Sequence, residues 1–415
     1  MTRTQPWMLV GAIIGLAGTA EANTEPPPAY DARSVGMGST GVAHVENGAS
    51  LYHNPAALQG IERGAVTGAF APLAPKMTTP LVGPDTEIES KRTLGPLFLV
   101  GGAYRVHDRL TLGAAIFPTM GFGAKYEDVA MLGSLDVTAS LGVIEIAAPG
   151  VSFAITDDLA IGLAYRMSYM TYGADTPTPT PAGTLINAET DLKGWNFSGI
   201  HAGIWARVTP TTRLGLSYRN KVTADLEGST TMGDQDFDTS MEFSVPHIIK
   251  LGVAQGLMED KLLLALDLRY AMYKDSNEEL VVETEGVETA TKLDWKDVMN
   301  AYLGAEFRPA PTGVRARVGY SIGTSATPEK TAMAVMPPPG LQHSFHAGFG
   351  LALESLDVDL GGYYMMGNSH AEPDAASGSA PGDYHFNAIL GALSATYRFG
   401  AKKAKATEAA EEASE

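Results

Sequence analysis

Two arginines in alternating segments of this sequence are candidates for binding a ligand. By residue parity, Arg166 and Arg269 lie on the inner faces of alternating segments, where a guanidinium would bind a carboxylate. For each arginine the alternative is an ion pair, such as Asp267 with Arg269. One further segment contributes three aromatic candidates for an apolar binding surface: Trp195, Phe197 and Trp205. These residues predict binding of a hydrophobic molecule, with a lipid-facing girdle as the alternative place for Trp195.

The sequence contains no motif that would carry catalysis. Its nine His residues are scattered, and neither G-x-S-x-G nor H-E-x-x-H occurs. His343 and His346 are an odd number of positions apart, which places them on opposite faces of a strand. The lack of Cys excludes thiolate metal sites, Cys nucleophiles and a lipoprotein anchor. We therefore expect no enzymatic activity, no metal and no cofactor.

Residues 1–22 have the features of a cleaved export signal. Arg3 supplies a positive charge, residues 8–17 form a short apolar stretch, and Ala20-Glu21-Ala22 resembles a cleavage site. A membrane anchor is the alternative, but a spanning helix needs about 20 apolar residues. The net charge of −18 makes nucleic acid an unsuitable partner. The sequence thus predicts a protein that leaves the cytoplasm.

Long segments with alternating apolar and polar residues follow the signal. In residues 261–273, for example, Leu264, Leu266 and Leu268 share one face, while Asp267 and Arg269 share the other. We count 14 such segments, starting near residues 64, 94, 110, 141, 159, 193, 212, 241, 261, 293, 314, 343, 356 and 384. Only a closed sheet leaves no unpaired edge in lipid. The pattern predicts an all-β fold, a 14-stranded antiparallel transmembrane β-barrel at residues 61–400. A secreted sandwich or propeller, built from shorter strands, is the alternative.

Two segments depart from this regular pattern. The segment at 110–128 contains Pro118, Gly121 and Gly123, which predict a break in strand pairing because Pro removes a ladder hydrogen bond and Gly permits a bulge. An ordinary loop is the alternative. The connection at 333–341, MAVMPPPGL, is apolar and rich in Pro. It predicts either a patch that receives a hydrophobic ligand or a loop packed over the barrel mouth.

Residues 32–58, ARSVGMGSTGVAHVENGASLYHNPAAL, are too rich in small residues for a core helix and too irregular for a strand. They predict a compact plug that ends in Asn54, Pro55 and Ala56. This stretch resembles the N-terminal hatch of the FadL family, outer-membrane barrels for long-chain fatty acids and other hydrophobic molecules. Residues 195–228, 243–251, 294–304 and 314–320 with 340–350 are similar to later family segments, in the same order.

The resemblance implies a barrel blocked by a hatch at residues 23–60, with cargo bound first at the outer loops. It implies release of cargo through a lateral gap at a kinked third strand, here the one with Pro118, Gly121 and Gly123. It also makes Lys296 the first candidate for a lumenal cation that binds a carboxylate. The main alternative is a barrel that binds or shuttles a protein partner, because the hatch also resembles that of shuttle barrels in type IX secretion.

Further expectations concern the partners and the end of the chain. The aromatic final segment, which ends at Phe399, is typical of barrels recognised by the bacterial barrel assembly machinery. A closed barrel completes its own hydrogen bonding, so we expect a monomer surrounded by outer-membrane lipid. Residues 401–415, AKKAKATEAAEEASE, have no apolar face and predict a disordered charged tail.

Overall fold

The computed structural model describes residues 30–180, 182–309, 313–372 and 380–399. The expected export signal and the expected tail at 401–415 lie outside these residues. The described residues contain one antiparallel sheet of 19 strands. The strands are β1 (Gly64–Thr79), β2 (Ile88–Glu89), β3 (Gly95–His107), β4 (Leu110–Val129), β5 (Leu135–Thr156), β6 (Leu159–Pro179), β7 (Leu185–Arg207), β8 (Thr212–Arg219), β9 (Val222–Met232), β10 (Gln235–Val245), β11 (Ile248–Leu257), β12 (Leu262–Ala271), β13 (Glu279–Thr284), β14 (Val287–Lys292), β15 (Val298–Phe307), β16 (Val314–Thr324), β17 (Leu341–Ala352), β18 (Leu356–Ala371) and β19 (Gly382–Phe399).

The sheet closes into a barrel because β1 pairs with both β3 and β19. Four wall strands are each interrupted once and therefore carry two labels: β8 and β9, β10 and β11, β12 and β13, and β14 and β15. The two-residue strand β2 only flanks the wall. The described residues therefore form fourteen wall strands, which confirms the predicted barrel. The largest difference in a strand start is at β7, which begins at Leu185 rather than near Lys193.

The two faces of the wall follow the predicted alternation. In β12, Leu264, Leu266 and Leu268 are exposed on the outer surface, while Asp267 and Arg269 are buried inside the barrel. An outer surface of this kind is what a lipid-facing wall requires. Among the described residues, no helix is both long enough and apolar enough to cross a bilayer.

A bulge in β7 reverses the alternation within one strand. Arg166 of β6 pairs with Gly199 of β7, whereas Ser168 pairs with Asn196, so β7 has one extra residue at this point. An extra residue moves every later side chain to the opposite face. Odd-numbered residues of β7 therefore point outward before the bulge and inward after it.

Residues 30–63, which precede β1, lie inside the barrel. It contains the short helices α1 (Ala32–Gly36) and α2 (Ser50–His53), followed by a 3-10 helix at Pro55–Gly60. Most residues of the segment 30–63, which we call the hatch, are buried. Two more 3-10 helices lie at Ala130–Leu132 and Glu329–Thr331 in the connections.

Candidate functional site

Asn54 fixes the end of the hatch to the barrel wall. Its side-chain nitrogen donates to the carbonyl of Val42 at 3.1 Å and to the carbonyl of Ile204 in β7 at 2.9 Å. Its side-chain oxygen caps the 3-10 helix by accepting from the backbone N–H of Ala56 at 3.0 Å, and Pro55 is the first residue of that helix. A Cβ at Gly203 of β7 would overlap with Asn54, so only glycine permits this approach. The sequence-predicted hatch residues therefore anchor the plug.

Ionic contacts hold the other end of the hatch. Arg33 of α1 binds the buried carboxylate of Glu306 in β15 through two nitrogens, at 3.0 and 3.2 Å. Arg308 and Arg317 of the wall bind the same carboxylate at 2.7 and 2.6 Å. In β12, Asp267 accepts from the consecutive backbone N–H groups of residues 41 and 42, at 2.7 and 3.0 Å. Asp267 thus binds the hatch, and the predicted ion pair of Asp267 with Arg269 is replaced by this contact.

Acid should loosen the hatch. Burial holds the pKa of His44 well below its usual value, and burial also lowers the pKa of His53, although the nearby Asp31 acts in the opposite direction. In a released hatch each imidazole would titrate near its ordinary pKa of about 6.5. Below that pH the released form binds more protons than the seated form. Each histidine therefore raises the equilibrium constant for release by up to about tenfold per unit decrease in pH.

Hydrogen exchange of residues 30–63, corrected for intrinsic rates, measures this effect between pH 7.5 and pH 5. We expect faster exchange at pH 5 in the parent and a weaker pH dependence in His44→Gln, whose amide can still bond to Thr40 as the imidazole does at 3.0 Å. Equal protection of the parent at both pH values would contradict the prediction.

The lumen also contains a cluster of apolar side chains, which we call the chamber, built from inward-facing residues of β4 to β15. Trp295, between β14 and β15, lies at its centre, with ring centroids 5.5 Å from Tyr273, 6.1 Å from Phe122 and 6.4 Å from Phe243. Three methionines complete the inner surface: Met120, Met170 and Met241. Aromatic rings and thioethers form an apolar surface that can repack around a ligand.

The connection between β16 and β17 covers the chamber. The carbonyl of Ala334 accepts from the Tyr126 hydroxyl at 2.7 Å, and the Thr331 hydroxyl donates to the carbonyl of Leu293 at 2.6 Å. Met336 is buried in the chamber. Of the two interpretations of the apolar segment at 333–341, the structure therefore shows the loop packed over the barrel mouth.

The pairing of two wall strands is interrupted beside the chamber. The pairing of β3 with β4 ends at Val100 and Ile116, although both strands continue. From Phe117 to Ala124 every residue of β4 is buried, so this stretch bends into the lumen instead of alternating in the wall. Farther out, the N–H of Lys91 donates to the carbonyl of Lys125 at 2.8 Å and bounds the gap. We call the unpaired stretch between residues 95–99 and 117–124 the wall gap.

The predicted kink residues lie in this bend. At Pro118 the register between β4 and β5 shifts, with Pro118 opposite Ile144 and Met120 opposite Val143. Gly121 is buried and faces Gly142 of β5. Gly123 has φ +157°, and a Cβ there would overlap the carbonyl of Ala139, so β4 cannot follow this path with a larger residue.

Cationic side chains form a belt between the chamber and the hatch. Along β6, the inward positions run from Met170 in the chamber through Ser168 to Arg166. Arg166 binds Glu145, and it donates to the carbonyl of Asn220 at 2.9 Å. Arg166 therefore faces the lumen as predicted, but it is bound in the ion pair that was the alternative. Arg269 likewise faces inward and donates to Asn300 at 2.9 Å.

The belt rests on a hatch aromatic ring. Arg219 shares Glu145 with Arg166, at 3.5 Å, and donates to the carbonyl of Tyr52 in α2 at 2.7 Å. The guanidinium of Arg219 and the ammonium of Lys250 lie 5.0 and 4.8 Å from the centroid of the Tyr52 ring, which is within cation–π range. The ring of Phe117, where the bend of β4 starts, packs edge-on against Tyr52 at 5.0 Å.

Three sequence-predicted lumen residues lie elsewhere. Lys296 is exposed, whereas its neighbour Trp295 is buried in the chamber. The prediction that Lys296 is a lumenal cation was therefore wrong. Trp195 and Phe197 are 40% and 58% exposed on the outer face, where they stack with each other and Trp195 contacts the tilted ring of Tyr169. Their assignment to the lumen was also wrong, because they precede the β7 bulge.

Trp205 follows the bulge and faces inward, as predicted, but it contacts the hatch rather than the chamber. Its indole N–H donates to the carbonyl of Ala43 at 3.0 Å, and its ring packs against Ala56 and Ala57. The chamber residues Trp295 and Phe243 were missed, although both lie in segments that were noticed for their family resemblance.

A closed barrel with an exposed apolar belt and an internal plug has the architecture of an outer-membrane β-barrel protein. A family model described as outer membrane protein transport protein (OMPP1/FadL/TodX) matches residues 13–399, so the chain belongs to this family. Family members are transport channels rather than enzymes, and this membership disfavours a protein shuttle.

Solved structures agree in fold. A Pseudomonas aeruginosa FadL homologue superposes with a TM-score of 0.74 at 15% identity, covering 91% of this chain and 100% of its own. The P. putida toluene transporter TodX superposes with a TM-score of 0.71 at 18% identity, covering 90% of this chain and 99% of its own. The Ralstonia pickettii toluene transporter TbuX superposes with a TM-score of 0.68 at 17% identity, also covering 90% of this chain and 99% of its own. Comparison with curated proteins finds no match.

Proposed function

We propose that this barrel transports long-chain fatty acids or similar hydrophobic molecules across the outer membrane. Cargo binds first at the outer loops, passes into the apolar chamber and leaves sideways through the wall gap into the bilayer. The observation that carries the proposal is the loss of pairing beyond Val100 and Ile116, directly beside the chamber. The barrel works as a monomer within outer-membrane lipid, and the barrel assembly machinery inserts it through its aromatic last strand.

Lateral release suits the energetics of an apolar cargo. Each buried methylene stabilises an acyl chain by about 0.8 kcal/mol. A vertical water-filled pore would expose the chain and lose this stabilisation, whereas an apolar chamber that opens into lipid retains it. The apolar surface around Trp295 and the bend at Pro118 together provide such a route.

The cation belt supports an acid-bearing cargo. Arg166 and Arg219 share the single carboxylate of Glu145, and Lys250 lies on the same Tyr52 ring as Arg219. Two guanidinium groups therefore share one carboxylate at the end of the chamber nearest the hatch. A carboxylate that reached this end would be stabilised by charge-assisted hydrogen bonds. A monoaromatic hydrocarbon, such as the toluene that gives TodX its description, is the main competing cargo.

Uptake by lipid vesicles that contain the purified barrel tests the proposal. We expect labelled oleate to enter faster than it enters empty vesicles, and Trp295→Ala to slow uptake because it removes the central ring of the chamber. The matched control is Trp195→Ala, which removes an indole of the outer girdle and should leave uptake unchanged.

Labelled toluene is measured in the same vesicles. Toluene uptake without oleate uptake would overturn the fatty-acid proposal and assign an aromatic cargo. Uptake of neither compound above the level of empty vesicles would overturn transport of both classes.

A further inference from the structure

The inward bend of β4 leaves a cavity of about 290 Å³ on the outer side of the wall. We propose that this cavity, the outer groove, is a docking site for an amphipathic molecule with an uncharged hydrogen-bonding head. Cargo rests there between the chamber and the outer leaflet of the membrane. The proposal rests on the lateral route proposed above. Six residues define the outer groove: Pro118, Ser140, Gly142, Thr171, Gly173 and Asp191.

Strand parity places the groove on the outer face of β5, β6 and β7. In β5, Leu141 and Val143 belong to the chamber, so the alternate residues Ser140 and Gly142 face outward. Met170 of β6 and Leu192 of β7 also belong to the chamber. Their neighbours Thr171 and Asp191 therefore lie on the outer side as well.

The same cavity reaches the chamber wall. Met120 lines the cavity, and its side chain is also part of the apolar cluster of the chamber. Pro118 and Phe98 border the cavity from the two strands that separate at the wall gap. The outer groove is thus the outer end of the proposed lateral route.

Glycines give the groove its depth. A Cβ at Gly142 would come 3.2 Å from the hydroxyl of Thr171, and a Cβ at Gly173 would come 3.2 Å from the hydroxyl of Ser140. Larger side chains at either glycine would fill the space. With glycine at both positions, the two hydroxyl groups line the groove floor.

The groove lies across the boundary between lipid and water. On the outer face Trp195 stacks with Phe197 at 5.7 Å and contacts the tilted ring of Tyr169 at 4.9 Å, and such aromatic residues are typical of a membrane interface. Ile144 is the strand partner of Tyr169 and marks the apolar end of the groove. Thr171 lies two residues farther along β6, toward its end at Pro179, and marks the polar end.

This arrangement selects the chemistry of the head group. The hydroxyls of Ser140 and Thr171 can both donate and accept hydrogen bonds, while the carboxylate of Asp191 accepts them and repels anions. An alcohol satisfies these groups, and so does a carboxylic acid in its protonated form, which a weakly solvated interface favours. The hydrocarbon part of such a molecule extends from the apolar end of the groove into the bilayer.

Cysteine protection tests the groove directly, because the chain contains no Cys. Thr171→Cys, in bilayer nanodiscs, is labelled with a charged maleimide in the presence and absence of hexadecanol. We expect hexadecanol to slow labelling several-fold and hexadecyl phosphate, an anion, to have little effect. The control is Thr176→Cys, an exposed position farther along β6 and outside the cavity, which hexadecanol should not protect. Equal slowing at both positions, or no slowing at Thr171→Cys, would overturn the proposal.

Filling the groove tests its part in transport. Gly142→Leu and Gly173→Leu should each slow oleate uptake several-fold, because either side chain would occupy the space in which cargo docks. The control is Gly391→Leu in β19, where an added side chain meets nothing within 4 Å and faces lipid. Parental uptake by both groove variants would overturn the proposal. If the parent itself shows no uptake, the proposed function fails, and the protection experiment still decides whether the groove binds.

Discussion

A disulfide between cysteines introduced at Phe98 and Pro118 is expected to reduce uptake to the level of empty vesicles. The last paired residues of β3 and β4 are Val100 and Ile116, so Phe98 and Pro118 are the positions that would face each other if pairing continued. Both residues line the cavity at the wall gap. A covalent bridge there closes the gap without changing the chamber, the cation belt or the hatch.

Reduction of the same protein provides an internal control, because uptake should return when the disulfide is broken. The matched control is Val100→Cys with Ile116→Cys, which bridges residues that are already strand partners. That bridge should form and leave uptake unchanged. Where the first pair is too far apart to oxidise, a short bis-maleimide linker makes the same connection. Unchanged uptake by the bridged barrel would refute lateral release at this gap.

The substitution Glu306→Gln is expected to release the hatch. Glu306 is completely buried and binds Arg33 of the hatch together with Arg308 and Arg317 of the wall. Removing one partner of a buried ion pair leaves uncompensated charge and costs about 3–5 kcal/mol. Departure of the hatch returns Arg33 to water and relieves part of that cost, so the seated state is the one that loses stability.

Hydrogen exchange of residues 30–63 measures the change, and a loss of 3 kcal/mol corresponds to an increase of about 100-fold in the released fraction. A double-mutant cycle with Arg33→Met separates the contact with the hatch from contacts within the wall. The control, Asp158→Asn, breaks an exposed ion pair with Arg207 and should change hatch exchange very little. Parental exchange rates in Glu306→Gln would show that this ion cluster does not hold the hatch.

The barrel could be predicted from sequence because its physical signal is local. Alternation such as that of Leu264 and Leu266 against Asp267 repeats in each strand, and lipid on one side makes the pattern strict. The sequence signal for the bend of β4 is also local, because Pro118 and Gly123 cannot support regular pairing. Asn54 was found through its motif, and the structure supplies the reason, which is a hydrogen bond to the wall.

The lumen residues were harder to predict because their positions depend on register. A single extra residue near Phe197 exchanges the faces of β7, and no local feature of the sequence marks it. Lys296 failed for a related reason, since it lies outside regular strand structure, where alternation gives no direction. The partners of Arg166 were also out of reach, because Glu145 and Asn220 come from other strands.

The contact between Tyr52 and Phe117 joins two barriers that are otherwise separate. Tyr52 belongs to the segment that blocks the lumen, and Phe117 begins the stretch of β4 that borders the break in the wall. A hatch that left its seat would remove the ring against which Phe117 packs, at the point where β4 has already lost its partner. We therefore expect any permeability toward the periplasm and any permeability toward the bilayer to be linked, so that a mutation selected for one would alter the other.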